Sequence, residues 1–174
     1  MGLLVLRLVV GLLFAGHGAQ KLFGSFGGHG PRGTTGLFEA IGLKTGHVHA
    51  GAAGAMEFGG GLLLALGLVT PVASLALIAV MTAAVITVHY PKGVWVTNGG
   101  YEYNLVLESV AFAVAGIGPG AWSVDHAVGL SMHGTLWAIG AFVLGLVGGI
   151  GAVIGGRLVD RHPRPSHAHT PTAA

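Results

Sequence analysis

Nine polar residues that could bind a polar ligand or handle protons lie within or beside long apolar stretches of the sequence. They are His17, Gln20, Lys21, Glu57, His89, Tyr101, Glu102, Asn104 and Glu108. Because a charged side chain in the centre of a bilayer costs about 2.5 to 3.5 kcal/mol or more, such groups should face the interior of a helix bundle and pair there. The set therefore predicts a polar intramembrane site, although no catalytic residue can be assigned from it.

The spacing of these residues places several of them on shared helix faces. His17 and Lys21 are four residues apart, so one helix face carries both. Tyr101, Asn104 and Glu108 follow a spacing of three and then four residues, which is one stripe at the helical period. We expect the three carboxylates of the set to lie within reach of His17 and Lys21. A cluster that only fixes the helix packing is the alternative interpretation.

Composition identifies the class of protein that positions these groups. Of 174 residues, 52% are hydrophobic and only 8% are charged, whereas soluble domains contain about 25% charged residues. Too few charges are present to cover a water-exposed surface, so the chain is predicted to be an all-α integral membrane helix bundle. The net charge of +2 includes no basic stripe with interleaved aromatics, which excludes nucleic acid as a partner.

Five apolar runs are near the roughly 20 residues that a spanning helix needs. They occupy residues 3–23, 50–69, 71–90, 103–117 and 135–155. The predicted domains are a four-helix membrane domain over residues 1–130, an additional transmembrane helix over 131–156, and a disordered polar tail over 157–174. In the first connection, residues 35–43 predict a short interfacial or re-entrant helix.

The distribution of basic residues predicts the orientation. With five spans, the first connection, the third connection and the C-terminal tail lie on one side of the membrane. That side contains Arg32, Lys44, Lys92, Arg157, Arg161 and Arg164, and the other side has no Lys or Arg outside the helices. By the positive-inside rule the N-terminus is outside and the tail is cytoplasmic. Because successive spans cross the membrane in opposite directions, the polar ends of four helices also come to one layer.

Several other features predict structural roles. Arg7 lies at the opposite end of the first helix from His17 and either snorkels outward or pairs within the bundle. Asp125 and His126 are interpreted as a helix-start or interfacial feature. In the fifth run, Gly145 and Gly149 are four residues apart, a spacing of small residues that favours close helix contact.

The chain predicts no metal site and no intrinsic cofactor. It has no cysteine, which excludes disulfides, thiolate metal sites and thiol redox chemistry of its own. Five histidines in predicted loops or the tail are interpreted as solvated residues: His29, His47, His49, His167 and His169. Any electron transfer would therefore need a bound small molecule or a partner.

Three segments resemble the DoxX family of bacterial membrane proteins, which is similar to the DoxD subunit of thiosulfate:quinone oxidoreductases. They are RLVVGLLFAGHGAQKLFG at residues 7–24, GAMEFGGGLLLALGLVTPVAS at 54–74 and GYEYNLVLESVAFAVAGIGPGAWSVDHAVG at 100–129. The positions that match the family are Arg7, His17, Gly18, Lys21, Glu57, Gly60, Tyr101, Glu102, Asn104 and Asp125. The resemblance implies four membrane helices, so the fifth run and the His-rich tail depart from the family pattern.

The resemblance implies a bacterial inner-membrane protein associated with redox processes, quinone-linked oxidation or oxidative-stress complexes with soluble partners. The first hypothesis is a redox-associated subunit that holds a quinone-like or lipid ligand in the polar layer. The second is a structural or assembly subunit without chemistry of its own, and the third is a small transporter or proton path. Besides the lipid bilayer, expected partners are membrane or soluble redox proteins and further copies of the chain.

Overall fold

The computed structural model describes residues 1–158, and this part of the chain is helical with no β-strand. Its helices are α1 (Gly2–Phe23), α2 (Gly30–Ala40), α3 (Gly46–Leu66), α4 (Thr70–Ala84), α5 (Glu102–Ile117), α6 (Val124–Ala127) and α7 (Thr135–Leu158). The predicted tail begins inside the last turn of α7, and its residues 159–174 lie outside the described part.

The bounds of helices α2 and α3 differ most from the prediction. The short helix expected at residues 35–43 is α2, which begins five residues earlier because Pro31 suits its first turn. It ends before Gly42, whose φ of 90° favours glycine. Helix α3 begins at Gly46 rather than at residue 50. A Cβ at Gly46 would lie 2.6 Å from the carbonyl oxygen of Thr35, so the missing side chain lets α2 pack against the start of α3.

Helices α1 and α3 form the most extensive helix contact, and glycines allow their backbones to approach. A Cβ at Gly11 would lie 2.5 Å from the carbonyl oxygen of Gly61, and one at Gly18 would overlap the backbone of Phe58. The polar residues on the last turns of α1 are therefore held directly beside α3. This contact positions Lys21 against Glu57.

Helix α4 lies between α3, α5 and α7. The buried core that joins the helices contains Val10, Phe14, Leu64, Ala73, Leu77, Leu107 and Val114. Helix α5 packs against α4 and α7, whereas α1 packs chiefly against α3. The ends of α1 and α4 and the start of α5 consequently surround a space that no close helix contact fills.

Three helical stretches are long and apolar enough to cross a membrane: Gly2–Phe23, Thr70–Lys92 and Thr135–Leu158. They contain 22, 23 and 24 residues, against the roughly 20 that a bilayer needs. These three candidate spans agree with the prediction of a helical membrane protein, and α3 and α5 are not among them. Helix α5 has only 16 residues, and α3 carries the buried Glu57.

The two glycines singled out in the fifth run face α4 of the same chain. A Cβ at Gly145 would lie 2.7 Å from Cγ2 of Ile78, and one at Gly149 would lie 2.5 Å from the carbonyl oxygen of Ala79. The second contact is with backbone, which cannot move aside as a side chain can. Close packing of α7 on α4 therefore depends most strongly on Gly149.

Gly149→Ala is expected to lower the free energy of unfolding by about 1 to 3 kcal/mol, because the added methyl group must push α7 away from α4. Gly151→Ala is the matched control, since a Cβ at Gly151 meets nothing within 4 Å, and it should leave stability unchanged or slightly increased. Thermal unfolding of both variants in the same detergent measures the difference. Equal losses in the two variants would contradict this contact.

Candidate functional site

A cavity of about 310 Å³ lies among the end of α1, the end of α4 with its following turn, and the start of α5. Its polar lining residues are His17, Lys21, His89, Tyr103 and Asn104. Its apolar lining residues are Leu13, Phe14, Met81, Ala84, Val96 and Leu107. This volume is at the lower end of the range for small-molecule sites, about 300 to 1,000 Å³. An apolar space with a few polar groups of this kind suits one ring-sized headgroup.

Lys21 joins the cavity to the interior of the bundle. Its Nζ lies 2.5 Å from Oε2 of Glu57, whose side chain is 6% exposed, and the Lys21 side chain is 25% exposed. Glu57 itself does not line the cavity. An ammonium group has three donors, so Lys21 can bind Glu57 and still donate to a ligand.

The imidazole of His17 is held by its neighbour on α1. Its Nδ1 donates to Oε1 of Gln20 at 3.1 Å, and Nε2 of Gln20 donates to the carbonyl oxygen of Phe26 at 3.4 Å. With the proton on Nδ1, the neutral ring presents Nε2 as an acceptor. Gln20 thus orients His17 without lining the cavity itself. His17 is exposed on its helix, which leaves the ring accessible.

His89 is held in a similar way by the connection between α4 and α5. Residues Val85–His89 form a π-helical turn, and Nδ1 of His89 donates to the carbonyl oxygen of Gly99 at 2.7 Å. The proton is again on Nδ1, so Nε2 of the neutral ring is the acceptor. Two histidines from different helices therefore border the cavity with the same tautomer.

Glu102 and Tyr101 shape the connection rather than the cavity. Oε2 of Glu102 accepts a hydrogen bond from the backbone N–H of Val96 at 2.9 Å. The Tyr101 ring stacks on Tyr90 with centroids 6.3 Å apart and an interplanar angle of 17°. These contacts fix residues 93–100, and through them Val96 and Gly99 at the cavity wall. Glu102 therefore bonds to the connection between α4 and α5, whereas Lys21 bonds to Glu57.

Asn104 and Glu108 follow one another on the buried face of α5 but make separate contacts. Nδ2 of Asn104 lies 3.3 Å from Sδ of Met81 at the cavity wall. Glu108 is buried, does not line the cavity, and accepts a hydrogen bond on Oε1 from Oγ1 of Thr82 at 3.0 Å. The structure thus divides the single polar layer expected from the sequence into a cavity and two buried carboxylates with different partners.

Tyr103 is the polar cavity residue that sequence reasoning missed. It lies off the stripe formed by Tyr101, Asn104 and Glu108, and its side chain is exposed. The stripe describes only the face of α5 that is buried against α4. A gap between helices admits residues at the edge of that face, and no periodicity in the sequence marks such a gap.

A second polar group lies at the opposite end of the bundle, around Asp125. This carboxylate is buried and accepts three hydrogen bonds: from the Val69 N–H at 2.7 Å, the Thr70 N–H at 3.1 Å and the Thr70 hydroxyl at 2.8 Å. The interpretation of Asp125 as a helix-start feature is only partly correct, because Ser123, and not Asp125, caps α6 by accepting from the His126 N–H. Asp125 also ties α6 to the turn between α3 and α4.

Arg7 faces the same group from α1. It is 1% exposed, and its Nη2 donates to the carbonyl oxygen of Trp122 at 2.6 Å. Its Nε and Nη1 are buried and have no hydrogen-bond partner in the described residues, and the carboxylate of Asp125 is a negative charge in the vicinity of the guanidinium. Of the two roles considered for Arg7, the structure places it within the bundle.

Comparisons with known proteins give a family match and a similar protein. A family model for DoxX proteins matches residues 2–90, just over half of the chain. The chain is similar to the protein named "Putative oxidoreductase CatD" of Bacillus subtilis (strain 168), with 32% identity over 116 residues that cover 67% of this chain and 80% of the relative. No solved structure matches the chain significantly.

Proposed function

The chain belongs to the DoxX family, and on this premise we propose that it is a redox-associated membrane subunit that binds a quinone-like headgroup. The observation that carries the proposal is the cavity of about 310 Å³ in which two oriented histidines, Lys21 and Asn104 border an apolar space. The printed name of the Bacillus subtilis relative, "Putative oxidoreductase CatD", supports a redox role. No intrinsic cofactor is proposed, because the quinone itself would supply the redox chemistry.

The chemistry of a quinone suits these residues. A quinone takes up electrons and an equal number of protons to become a hydroquinone, and its carbonyl oxygens need hydrogen-bond donors. Lys21 and the amide of Asn104 can donate, while His17 and His89 can donate from Nε2 when protonated and accept when neutral. The electrons would come from a membrane or soluble redox protein that acts as partner, or pass to it in the reverse direction.

The proposal includes a topology. Helices α1, α3, α4, α5 and α7 would cross the bacterial inner membrane, so that a four-helix core is followed by a fifth span. The N-terminus would be outside and the C-terminal tail cytoplasmic, because the basic loop and tail residues fall on one side. Reporter fusions in the connection at residues 91–100 and at the C-terminus should both read cytoplasmic. Opposite readings at these two sites would contradict five spans.

His17→Phe is expected to weaken quinone binding about tenfold, because it removes the Nε2 hydrogen-bonding group while keeping a ring of similar size. The probe is menadione, a quinone without a long chain, added to the protein in nanodiscs. His47→Phe is the matched control, since His47 is exposed on α3 and does not line the cavity. Equilibrium binding and thermal stability should be measured on both variants.

Failure of menadione to bind the unmodified protein would overturn the proposal and favour an assembly subunit. In that case the polar residues would only hold helices together, and a complex purified with the His17→Phe variant would keep its composition and activity. Equal binding by the unmodified protein and the His17→Phe variant would instead remove the cavity as the location of the site. The proposed partners of the protein are the lipid bilayer, a redox protein and other copies of the chain.

A further inference from the structure

Glu108 is a buried carboxyl that the proposed quinone site does not use. It lies on α5 and is 8% exposed, and its Oε1 accepts a hydrogen bond from the Thr82 hydroxyl at 3.0 Å. Its other oxygen, Oε2, makes no hydrogen bond in the described residues, yet it is not among the enclosed side-chain atoms that lack a partner. One oxygen of this carboxyl therefore borders open space.

The helices packed on α5 place few charges around this carboxyl. Helices α4 and α7 pack against α5. Helix α4 contains no ionisable side chain, and that of α7 is Arg157, in its last turn. On α5 itself the other ionisable side chains are Glu102 and Tyr103, in its first turn. None of these groups supplies a positive charge beside Glu108.

The basic side chains on the other walls of the bundle have partners of their own. They are Arg7, His17, Lys21 and His89, and each is bonded to a group other than Glu108. An isolated carboxylate in an apolar interior is so costly that the group takes up a proton instead. The hydrogen bond suits this neutral form, since Oε1 accepts as a carbonyl oxygen and Oε2 can carry the proton.

Glu108 lies beside the cavity although it does not line it. Asn104 and Leu107, which line the cavity, precede it on α5 by four residues and by one. Four residues correspond to about 6 Å along the helix axis. Its partner Thr82 follows Met81, another lining residue. The carboxyl and the hydroxyl that holds it therefore adjoin the same part of the cavity wall.

We propose that Glu108 is a proton-binding site, a carboxyl that is neutral at rest and exchanges its proton with water through the cavity. The bundle then contains an ionised Glu57 paired with Lys21 and a neutral Glu108 held by Thr82. A neutral carboxyl at this wall supplies a proton to an occupant that takes one up, and the carboxylate left behind regains a proton from water. The assignment does not depend on the occupant being a quinone.

The test is infrared spectroscopy of the full chain in nanodiscs near neutral pH, where the C=O band of a neutral carboxyl is separate from carboxylate bands. We expect such a band to be lost in Glu108→Gln and kept in Glu57→Gln, the matched control. Thr82→Val should move the band without removing it, because one hydrogen bond is lost. A spectrum in which Glu108→Gln removes no such band would overturn the proposal, as would a band that Glu57→Gln removes instead.

Deuterium exchange tests the connection to the cavity. In D₂O the Glu108 band should shift to lower frequency as the proton is replaced by a deuteron. Ala84 lines the cavity, so Ala84→Phe should slow this shift severalfold by filling the space. Ala83→Phe is the matched control, since the neighbouring Ala83 does not line the cavity, and it should leave the rate unchanged. A band that never shifts, or equal rates in both variants, would contradict exchange through the cavity.

Menadione binding to the same samples keeps this inference distinct from the proposed function. A Glu108 band that exchanges in a protein without menadione binding would support the proton-binding site and overturn only the quinone. Menadione binding to a protein that lacks the Glu108 band would overturn the proton-binding site and leave the quinone proposal standing.

Discussion

Asp125→Ala is expected to lower the free energy of unfolding by about 3 to 5 kcal/mol, one of the largest effects of any single substitution in this protein. The substitution leaves three donors on Val69 and Thr70 without an acceptor. It also removes the negative charge near Arg7, a guanidinium that is 1% exposed. Buried donors and charges left unpaired are more costly than the loss of the bonds themselves.

The backbone at Val69 adds to this expectation. Val69 has φ 42°, in the left-handed region that a β-branched residue rarely adopts. The Asp125 carboxylate accepts a hydrogen bond from the Val69 N–H at 2.7 Å and from both donors of Thr70. These bonds stabilise the strained turn between α3 and α4. Without the carboxylate the strain is unopposed, so the turn should relax and loosen the start of α4.

Two further variants separate the contributions at Asp125. Thr70→Val removes one of the three donors and should lower stability by about 1 kcal/mol. Adding Arg7→Met to Asp125→Ala should recover part of the loss, because the double variant contains no uncompensated buried cation. Chemical unfolding in detergent gives the free energies. A loss below about 1 kcal/mol for Asp125→Ala would show that the carboxylate does not hold this end of the bundle.

The second large effect is expected at the Lys21–Glu57 pair. Glu57→Ala leaves the Lys21 ammonium without its partner beside a membrane helix and should lower the free energy of unfolding by about 3 kcal/mol. The Lys21 side chain is 25% exposed, so contact with water keeps the loss at the lower end for a broken buried pair. Adding Lys21→Met to Glu57→Ala should recover part of the loss, because no buried cation is then left without a partner.

A double-mutant cycle tests whether the pair is separate from the other buried carboxylate. Lys21→Met and Glu57→Gln should show a coupling energy of about 1 to 3 kcal/mol, because the two groups are in direct contact. Lys21→Met and Glu108→Gln should be additive within about 0.5 kcal/mol, since Glu108 is bonded to Thr82 instead. Strong coupling of Lys21 to Glu108 would restore the single network that the sequence suggested.

The charged fraction and the lengths of the apolar runs were sufficient to predict the fold class. An 8% charged content excludes a soluble surface whatever the order of the residues, and an apolar run of some 20 residues has few alternatives to a membrane helix. The first helix was therefore predicted within a residue at its start and correctly at its end. Helix α2 begins five residues before the predicted 35–43, because Pro31 suits its first turn and Leu37 and Phe38 indicate only its apolar side.

The sequence by itself also indicated which residue types must avoid lipid, because a charge in a bilayer needs a partner wherever the chain places it. It gave Lys21 several possible carboxylates. The tertiary structure decided the partner, since glycine-mediated contact between α1 and α3 puts Glu57 2.5 Å from Lys21. In the same way, Asp125 and Val69 are 56 residues apart in the chain, and only the folding back of α6 onto the α3–α4 turn brings them together. Periodicity describes one helix at a time, whereas pairing depends on how helices approach.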